Sequence, residues 1–231
     1  MKELLKKLLK WLIYAVLFFF FSTIFFVFLY RFVNPPITSL MLARVSEQAI
    51  HGEKIKLKKQ WISLDKISPD LQLAVVASED NWFLEHHGFD FEAIDKAKDY
   101  NERKKGKRIH GASTISQQTA KNVFLWSGRS WIRKGLEVYF TVLIEFVWPK
   151  KRIMEVYLNV IETGDGIYGA EMASETYFRK PAFRLTRPEA ALLAAILPNP
   201  RKWNPVRPTS YLFSRQHWIL WNMGNVGNLK Y

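Results

Sequence analysis

The chain contains no cysteine in 231 residues. It therefore has no disulfide framework, although that absence says little about compartment. Acidic residues are scarce: 21 Asp and Glu stand against 34 Lys and Arg, a formal charge of +13. Convincing period-two alternation is rare and no segment repeats, which argues against a mainly β architecture and against a repeat array. One long apolar run is present.

That run is Trp11 to Tyr30, twenty residues without a charge. At about 1.5 Å per residue it spans roughly the 30 Å hydrocarbon core of a bilayer. Lys2, Lys6, Lys7 and Lys10 precede it against the single acid Glu3, and Arg31 alone follows closely. The positive-inside tendency places the N-terminus in the cytoplasm and the following domain outside. A cleaved signal peptide is the alternative, with an apolar region of only about 7–15 residues and a small-residue cleavage site. Here the run is longer and Phe-rich, and it closes on Leu29-Tyr30-Arg31-Phe32 with no A-x-A pattern. The reading is a cytoplasmic tail at 1–10, a transmembrane anchor at 11–33, a juxtamembrane linker at 34–64 and one domain at 65–231.

The exterior part is large enough for a real core. Its share of the net charge is +10, because the first thirty residues contribute +3. A basic domain beside a membrane suits anionic head groups or a phosphorylated substrate. Nucleic acid, the other common partner of basic chains, does not fit an outward-facing anchored domain.

Asn34-Pro35-Pro36 breaks the apolar run, and residues 37–66 allow a short strand or an amphipathic helix. Ser68-Pro69 reads as an N-cap with Pro at the first helical position, opening a helix that ends near Glu79. Further helices are expected at 114–126, 131–148 and 150–161, from Gly169, from Thr186 until Pro198 and Pro200 stop it, and at 210–223. Residues 99–110 are densely charged and read as a solvated mobile loop. The fold class is mainly α, about eight helices.

Three polar clusters stand out. Glu79-Asp80-Asn81-Trp82-Phe83-Leu84-Glu85-His86-His87-Gly88 begins where an apolar helix ends. A carboxylate there can project into a cleft, and rings such as Phe83 could raise its pKa toward that of a general base. Taken alone, such an acid pair is more often solvated surface. In Gly111–Asn122, the residues Thr114, Gln117, Gln118, Lys121 and Asn122 share one helical face behind Ser113, a set suited to an anion such as a sugar diphosphate. An ordinary amphipathic helix is the plain alternative. Arg129, Arg133 and Glu137 are spaced by four, with Lys134 between them, and from Val138 onward the helix is apolar nearly all round, as in a buried helix. A charge at its entrance is costly unless paired or used. A structural Arg133–Glu137 pair is the plain reading.

Taken together, these clusters resemble the peptidoglycan glycosyltransferase family: the monofunctional biosynthetic transglycosylases and the glycosyltransferase domains of bifunctional penicillin-binding proteins. Its pattern E-D-x-x-F-x-x-H-x-G is matched by Glu79, Asp80, Phe83, His86 and Gly88. G-[GA]-S-T-I-[ST]-Q-Q-x-x-K-N is matched throughout residues 111–122, and R-K-x-x-E by Arg133, Lys134 and Glu137. K-x-x-I-x-E-x-Y-L-N is matched by Lys150, Ile153, Glu155, Tyr157, Leu158 and Asn159. Gly164-Asp165-Gly166, Tyr177-Phe178 and Glu189-Ala190-Ala191 with Pro198 also fit, so the likeness covers residues 65–200 in order. Three positions depart: Asn81 for the usual Arg or Lys, Ala112 for the commoner Gly, and Pro149 where Ser is frequent. Ser63-Leu64-Asp65-Lys66 matches S-x-x-K, but without S-x-N or K-T-G it does not indicate a transpeptidase.

The resemblance implies a lysozyme-like bilobed glycosyltransferase domain behind one transmembrane helix, in the bacterial inner membrane with the catalytic domain periplasmic. It implies polymerisation of lipid II into β-1,4 glycan strands with inversion and release of polyprenyl diphosphate. Glu79 would be the base and Glu137 a second functional acid. Asp80, His86, Ser113, Thr114, Gln117, Gln118, Lys121, Asn122, Arg129, Arg133 and Lys134 would bind substrate. No protein metal site is expected, though a divalent cation (Mg or Mn) could accompany the diphosphate. Partners would be lipid II, the growing lipid-linked strand, the membrane, and cell-division or penicillin-binding proteins, with no nucleic acid. Phe124, Leu125, Trp126 and Trp131 are expected to touch the bilayer, against core packing as the alternative. A lytic transglycosylase or muramidase and a non-catalytic anchored scaffold are the competing functions. The basic residues speak against the first and the retained Glu79 and Glu137 against the second.

Overall fold

The computed structural model describes residues 1–104, 111–128 and 130–231, in two compact units, 1–35 and 36–231. The first is a single helix, α1 (Lys2–Phe32), so the basic tail expected at 1–10 is continuous with the apolar span. It is long and apolar enough to cross a membrane. Its Ser and Thr hydroxyls are satisfied inside the helix: Ser22 donates to the Phe19 carbonyl at 3.0 Å and Thr23 to the same oxygen at 2.8 Å. Such bonding removes the penalty of bare polar groups in hydrocarbon.

The second unit is predominantly helical. Its helices are α2 (Ser39–Ile50), α3 (Pro69–Glu79), α4 (Phe91–Arg103), α5 (Ile115–Phe124) and α6 (Trp131–Val147). They continue with α7 (Lys150–Val160), α8 (Gly169–Phe178), α9 (Arg187–Ile196) and α10 (Ser210–Val226). Three short strands, β1 (Lys58–Lys59), β2 (Glu162–Gly164) and β3 (Ile167–Tyr168), form a sheet in the order β1-β3-β2. β2 and β3 are an antiparallel hairpin, and β1 joins β3 in parallel. Gly166 turns the hairpin at φ +70, where a Cβ would lie 2.5 Å from the Lys56 carbonyl oxygen. Only glycine permits both that turn and that approach.

The segment expected as a linker at 34–64 is therefore largely built into the domain. Thr38 caps α2 by accepting from Met41 N, and Gln48 Oε1 accepts from Lys56 N at 2.8 Å. Arg44 Nε reaches Glu162 Oε2 at 3.1 Å, tying α2 to β2. Its long-range partners are invisible to local periodicity. Residues 99–103, expected in a mobile loop, are the last turn of α4, which Asp90 caps through Ala93 N at 2.8 Å. The rest of the basic run, 105–110, lies outside the described residues.

α3 is the centre of the domain. Leu71 through Ala77 are all buried, and the helix packs against both α9 and α10, which also pack on each other. Ser68 precedes it as expected but does not cap it, because its hydroxyl donates to the Leu185 carbonyl at 3.1 Å. α5 packs against α6 and α7. It opens with a capping box: Gln117 N donates to Thr114 Oγ1 at 3.1 Å, and Thr114 N donates to Gln117 Oε1 at 3.0 Å. This reciprocal pairing satisfies two otherwise orphaned donors. The end of the central helix and the start of α5 are thus both fixed, and they meet at the polar clusters.

α6 departs from expectation. Glu137, Phe140, Thr141 and Ile144 are buried, but Val138, Val142 and Phe146 are exposed, the last at 88%. An all-round apolar sequence here serves two surfaces, one packed on protein and one bare.

Candidate active site

Glu79 is the last residue of α3, a helix buried from Leu71 through Ala77. Gln118 Nε2 donates to its Oε2 at 2.9 Å. Arg215, from α10, places Nη2 3.8 Å from its Oε1. Burial pushes the Glu79 carboxyl up from its ordinary value, against the Gln118 hydrogen bond and the Arg215 charge. A desolvated carboxylate of this kind is a stronger base than one in water.

Asp80 has a different environment. Its Oδ2 accepts from Ile115 N at 2.9 Å, at the positive end of α5, and its Oδ1 is 2.8 Å from His86 Nε2. Gly88 N donates to His86 Nδ1 at 3.0 Å, which makes Nε2 the protonated nitrogen that faces Asp80. Thr114 Oγ1 donates to the Gly88 carbonyl at 2.7 Å. Gly88 itself sits at φ +90, where a Cβ would lie 2.7 Å from Thr141 Cγ2. Asp80, His86, Gly88, Thr114 and Gln117 therefore form a closed frame that locks the chain after Glu79 to the N-terminus of α5.

A second frame lies behind it. Lys150 Nζ donates to the His86 carbonyl at 2.6 Å and to Glu145 Oε1 at 2.8 Å, and it sits 4.7 Å from the Phe83 ring centroid. Ser116 donates to the same Glu145 oxygen. Phe83 is fully buried there.

Glu137 is 3% exposed and both its oxygens are engaged: Arg133 Nη1 at 2.9 Å and Lys134 Nζ at 2.5 Å. The Arg133–Glu137 pair expected from spacing is present, and Lys134 completes it. Lys121 projects from α5 into the field of Glu137, Arg133, Lys134 and Glu79. Burial pushes its ammonium down, against the pull of Glu137. An open cleft of about 720 Å³ is lined by Ile94, Ala97, Lys98, Ser113, Gln117 and Lys134, among others. Asn122 is buried on α5. Arg129 lies outside the described residues. Among the described residues no three His, Asp or Glu side chains converge as a metal-binding group.

Of the four apolar residues expected at a bilayer, two are packed inward. Leu125 is buried, and Phe124 stacks on Phe140 at 4.6 Å between centroids. Trp126 and Trp131 are exposed, Trp131 at 92%.

Sequence reasoning missed Arg215, Glu145 and Asn222. The signal for Arg215 and Asn222 lay in α10, where Leu212, Ile219 and Met223 mark the buried stripe. Polar residues at helical spacing within such a stripe have work to do inside.

A helical, lysozyme-like domain with a buried carboxylate and clustered cations defines a glycan-processing enzyme of the transglycosylase class. Residues 46–224 match the transglycosylase family, and the chain belongs to it. It is 54% identical to a biosynthetic peptidoglycan transglycosylase of Bdellovibrio bacteriovorus over 95% of this chain and 87% of that one. It is similarly 54% identical to one of Bacteroides thetaiotaomicron over 94% and 86%. One of Shewanella oneidensis is 50% identical over 97% and 94%.

Proposed function

We propose that Glu79 is the general base of a peptidoglycan glycosyltransferase that joins lipid II units into glycan strands. Family membership makes the chain an enzyme of cell-wall synthesis on the biosynthetic side, and it leaves the lytic and scaffold readings without support. The observation that carries the role of Glu79 is its setting: buried, with Oε2 held by Gln118 and Oε1 accepting no hydrogen bond among the described residues. Oε1 takes the proton from the acceptor's 4-hydroxyl as that oxygen attacks C1 of the donor sugar. The C1–O bond to the diphosphate breaks, C1 inverts, and the negative charge passes to the leaving group.

Lys121, Lys134, Arg133 and Arg129 supply positive charge for that leaving group, which grows more anionic as the bond breaks. Glu137 orients Arg133 and Lys134, and keeps three adjacent cations from repelling one another. Ser113, Gln118 and Asn122 hold substrate oxygens. Asp80, His86, Thr114 and Gln117 act through the frame, with Gln117 also at the cleft wall. A divalent cation, where present, would ride on the diphosphate oxygens.

The helix α1 anchors the enzyme in the inner membrane with its N-terminus inside and the second unit in the periplasm. Confinement raises the effective concentration of two lipid substrates. Lys2→Cys gives this cysteine-free chain one thiol. Labelling of that thiol by an impermeant maleimide in spheroplasts with a sealed inner membrane would overturn the orientation.

The decisive assay is lipid II polymerisation by the detergent-solubilised chain, wild type beside Glu79→Gln, with products sized and then digested by muramidase. Digestible strands from wild type alone support the reading. Equal polymer from both removes Glu79 as the base.

A further inference from the structure

The family pattern has Arg or Lys immediately after the acid pair, where this chain has Asn81. The cation absent from that position has a counterpart in space. Arg215 of α10 places Nη2 3.8 Å from Glu79 Oε1. That is an ion-pair distance, too long for a hydrogen bond. Its Nε is buried and bonds to none of the described residues.

α10 is fixed where this contact needs it. Asn222, two turns beyond Arg215 on the same helix, donates through Nδ2 to the Ala77 carbonyl at 2.6 Å and to Asn81 Oδ1 at 3.0 Å. Those two anchor points lie two residues before and two after Glu79. The helix is therefore pinned to the chain on both sides of the carboxylate, and Arg215 is delivered over it. Asn81, in place of a cation, is the residue that makes one of those pins.

We propose that Arg215 is a positioning residue that orients the Glu79 carboxylate and balances its charge. It does from α10 what a basic residue at position 81 would do locally. This rests on Glu79 being the base. The other groups facing Glu79 are Asp80 beside it, Gln118 and Lys121 from α5, and Tyr157 from α7. Asp80 is committed to His86 and Ile115, Lys121 is drawn toward Glu137, and Tyr157 is a buried neutral phenol. The charged residues of α9, Arg187 and Glu189, pair elsewhere, with Asp70 and Lys180. Among the described residues, Arg215 is the cation whose ion pair is with Glu79.

The test is the pH profile of lipid II polymerisation by the full chain in detergent. Wild type is compared with Arg215→Gln, Arg215→Met, Arg215→Lys and Glu79→Gln, with circular dichroism confirming each fold. Activity needs Glu79 ionised, so it rises with pH through the Glu79 titration. Losing an opposite charge within about 4–6 Å should displace that acid limb upward by about one pH unit or more in both uncharged variants. At a fixed pH on the limb this is roughly a tenfold loss. Arg215→Lys should keep the wild-type limb. An equal loss at every pH, with the limb unmoved, overturns the inference. So does loss of the folded state in both uncharged variants, which would make Arg215 a strut of the fold. An active Glu79→Gln would instead overturn the base itself, whatever the Arg215 variants do.

Discussion

Gln118 donates one amide hydrogen to Glu79, while its own Oε1 accepts from Tyr157 Oη at 3.4 Å. The amide is thus held in one orientation, and it engages Oε2 while leaving Glu79 Oε1 without a hydrogen bond among the described residues. Gln118→Ala should lower kcat on the order of 100-fold, the lower end of the scale of one lost preorganised donor, and should move KM much less. Steady-state polymerisation kinetics measure the split. A change confined to KM would make Gln118 a binding residue only.

Glu79→Gln should gain stability as it loses activity. The folded carboxyl is raised by burial, so the unfolded state releases its proton first as pH rises. The wild type is therefore penalised from the ordinary carboxylate range upward, and the penalty is complete above the folded value. The variant should melt higher at pH 7 and lose that advantage below about pH 4. For a domain of this size about 1 kcal/mol reads as roughly 2–4 °C. Thermal melts at the two pH values decide it.

Glu137 separates structure from chemistry through its substitutions. Glu137→Ala leaves the Arg133 guanidinium, whose side chain is 13% exposed, without its anion. A loss on the order of 3 kcal/mol follows for a broken buried pair. Replacing Arg133 and Glu137 together by Met should recover much of that stability but none of the activity. Chemical denaturation beside the polymerisation assay distinguishes the two roles.

Gly88→Ala tests the frame. The new methyl meets Thr141 Cγ2 at 2.7 Å and occupies φ +90. A destabilisation of about 2–4 kcal/mol is expected from strain and overpacking combined. Activity should fall in step with the folded fraction measured by circular dichroism. Wild-type stability would show that the turn relaxes freely.

Trp131, Val138, Val142 and Phe146 line the bare side of α6, with Trp126 exposed nearby in sequence. A contiguous apolar stripe in a basic domain suits a lipid surface. Residues 36–231 carrying Trp131→Ser and Phe146→Ser should float with anionic liposomes at least tenfold less than the parent unit. The buried Leu125 is the control site, since a change there should act through stability. Equal flotation would remove the membrane contact at this face.

The polar clusters were legible in the sequence because their spacing matches a helical face and their order matches a family. Helix α5 was legible for the same reason, and its capping box follows from Thr114 and Gln117. The pairing of Arg133 with Glu137 was also legible, as an i,i+4 relation. The division of labour inside the clusters was not. Asp80 and Glu79 are adjacent acids, yet one caps α5 and the other faces Arg215, because a carboxylate's role depends on which groups the fold brings to it.

Locally, then, the chain by itself determined its membrane-length helix, its helical class and the polar clusters of the candidate site, since these follow from apolar period, capping and short-range spacing. The tertiary structure alone decided which side of α6 is bare, that residues 39–59 join the domain, and that α10 delivers Arg215 to Glu79 across 136 positions. Such contacts are set by packing between elements far apart in sequence, and no local pattern encodes their geometry.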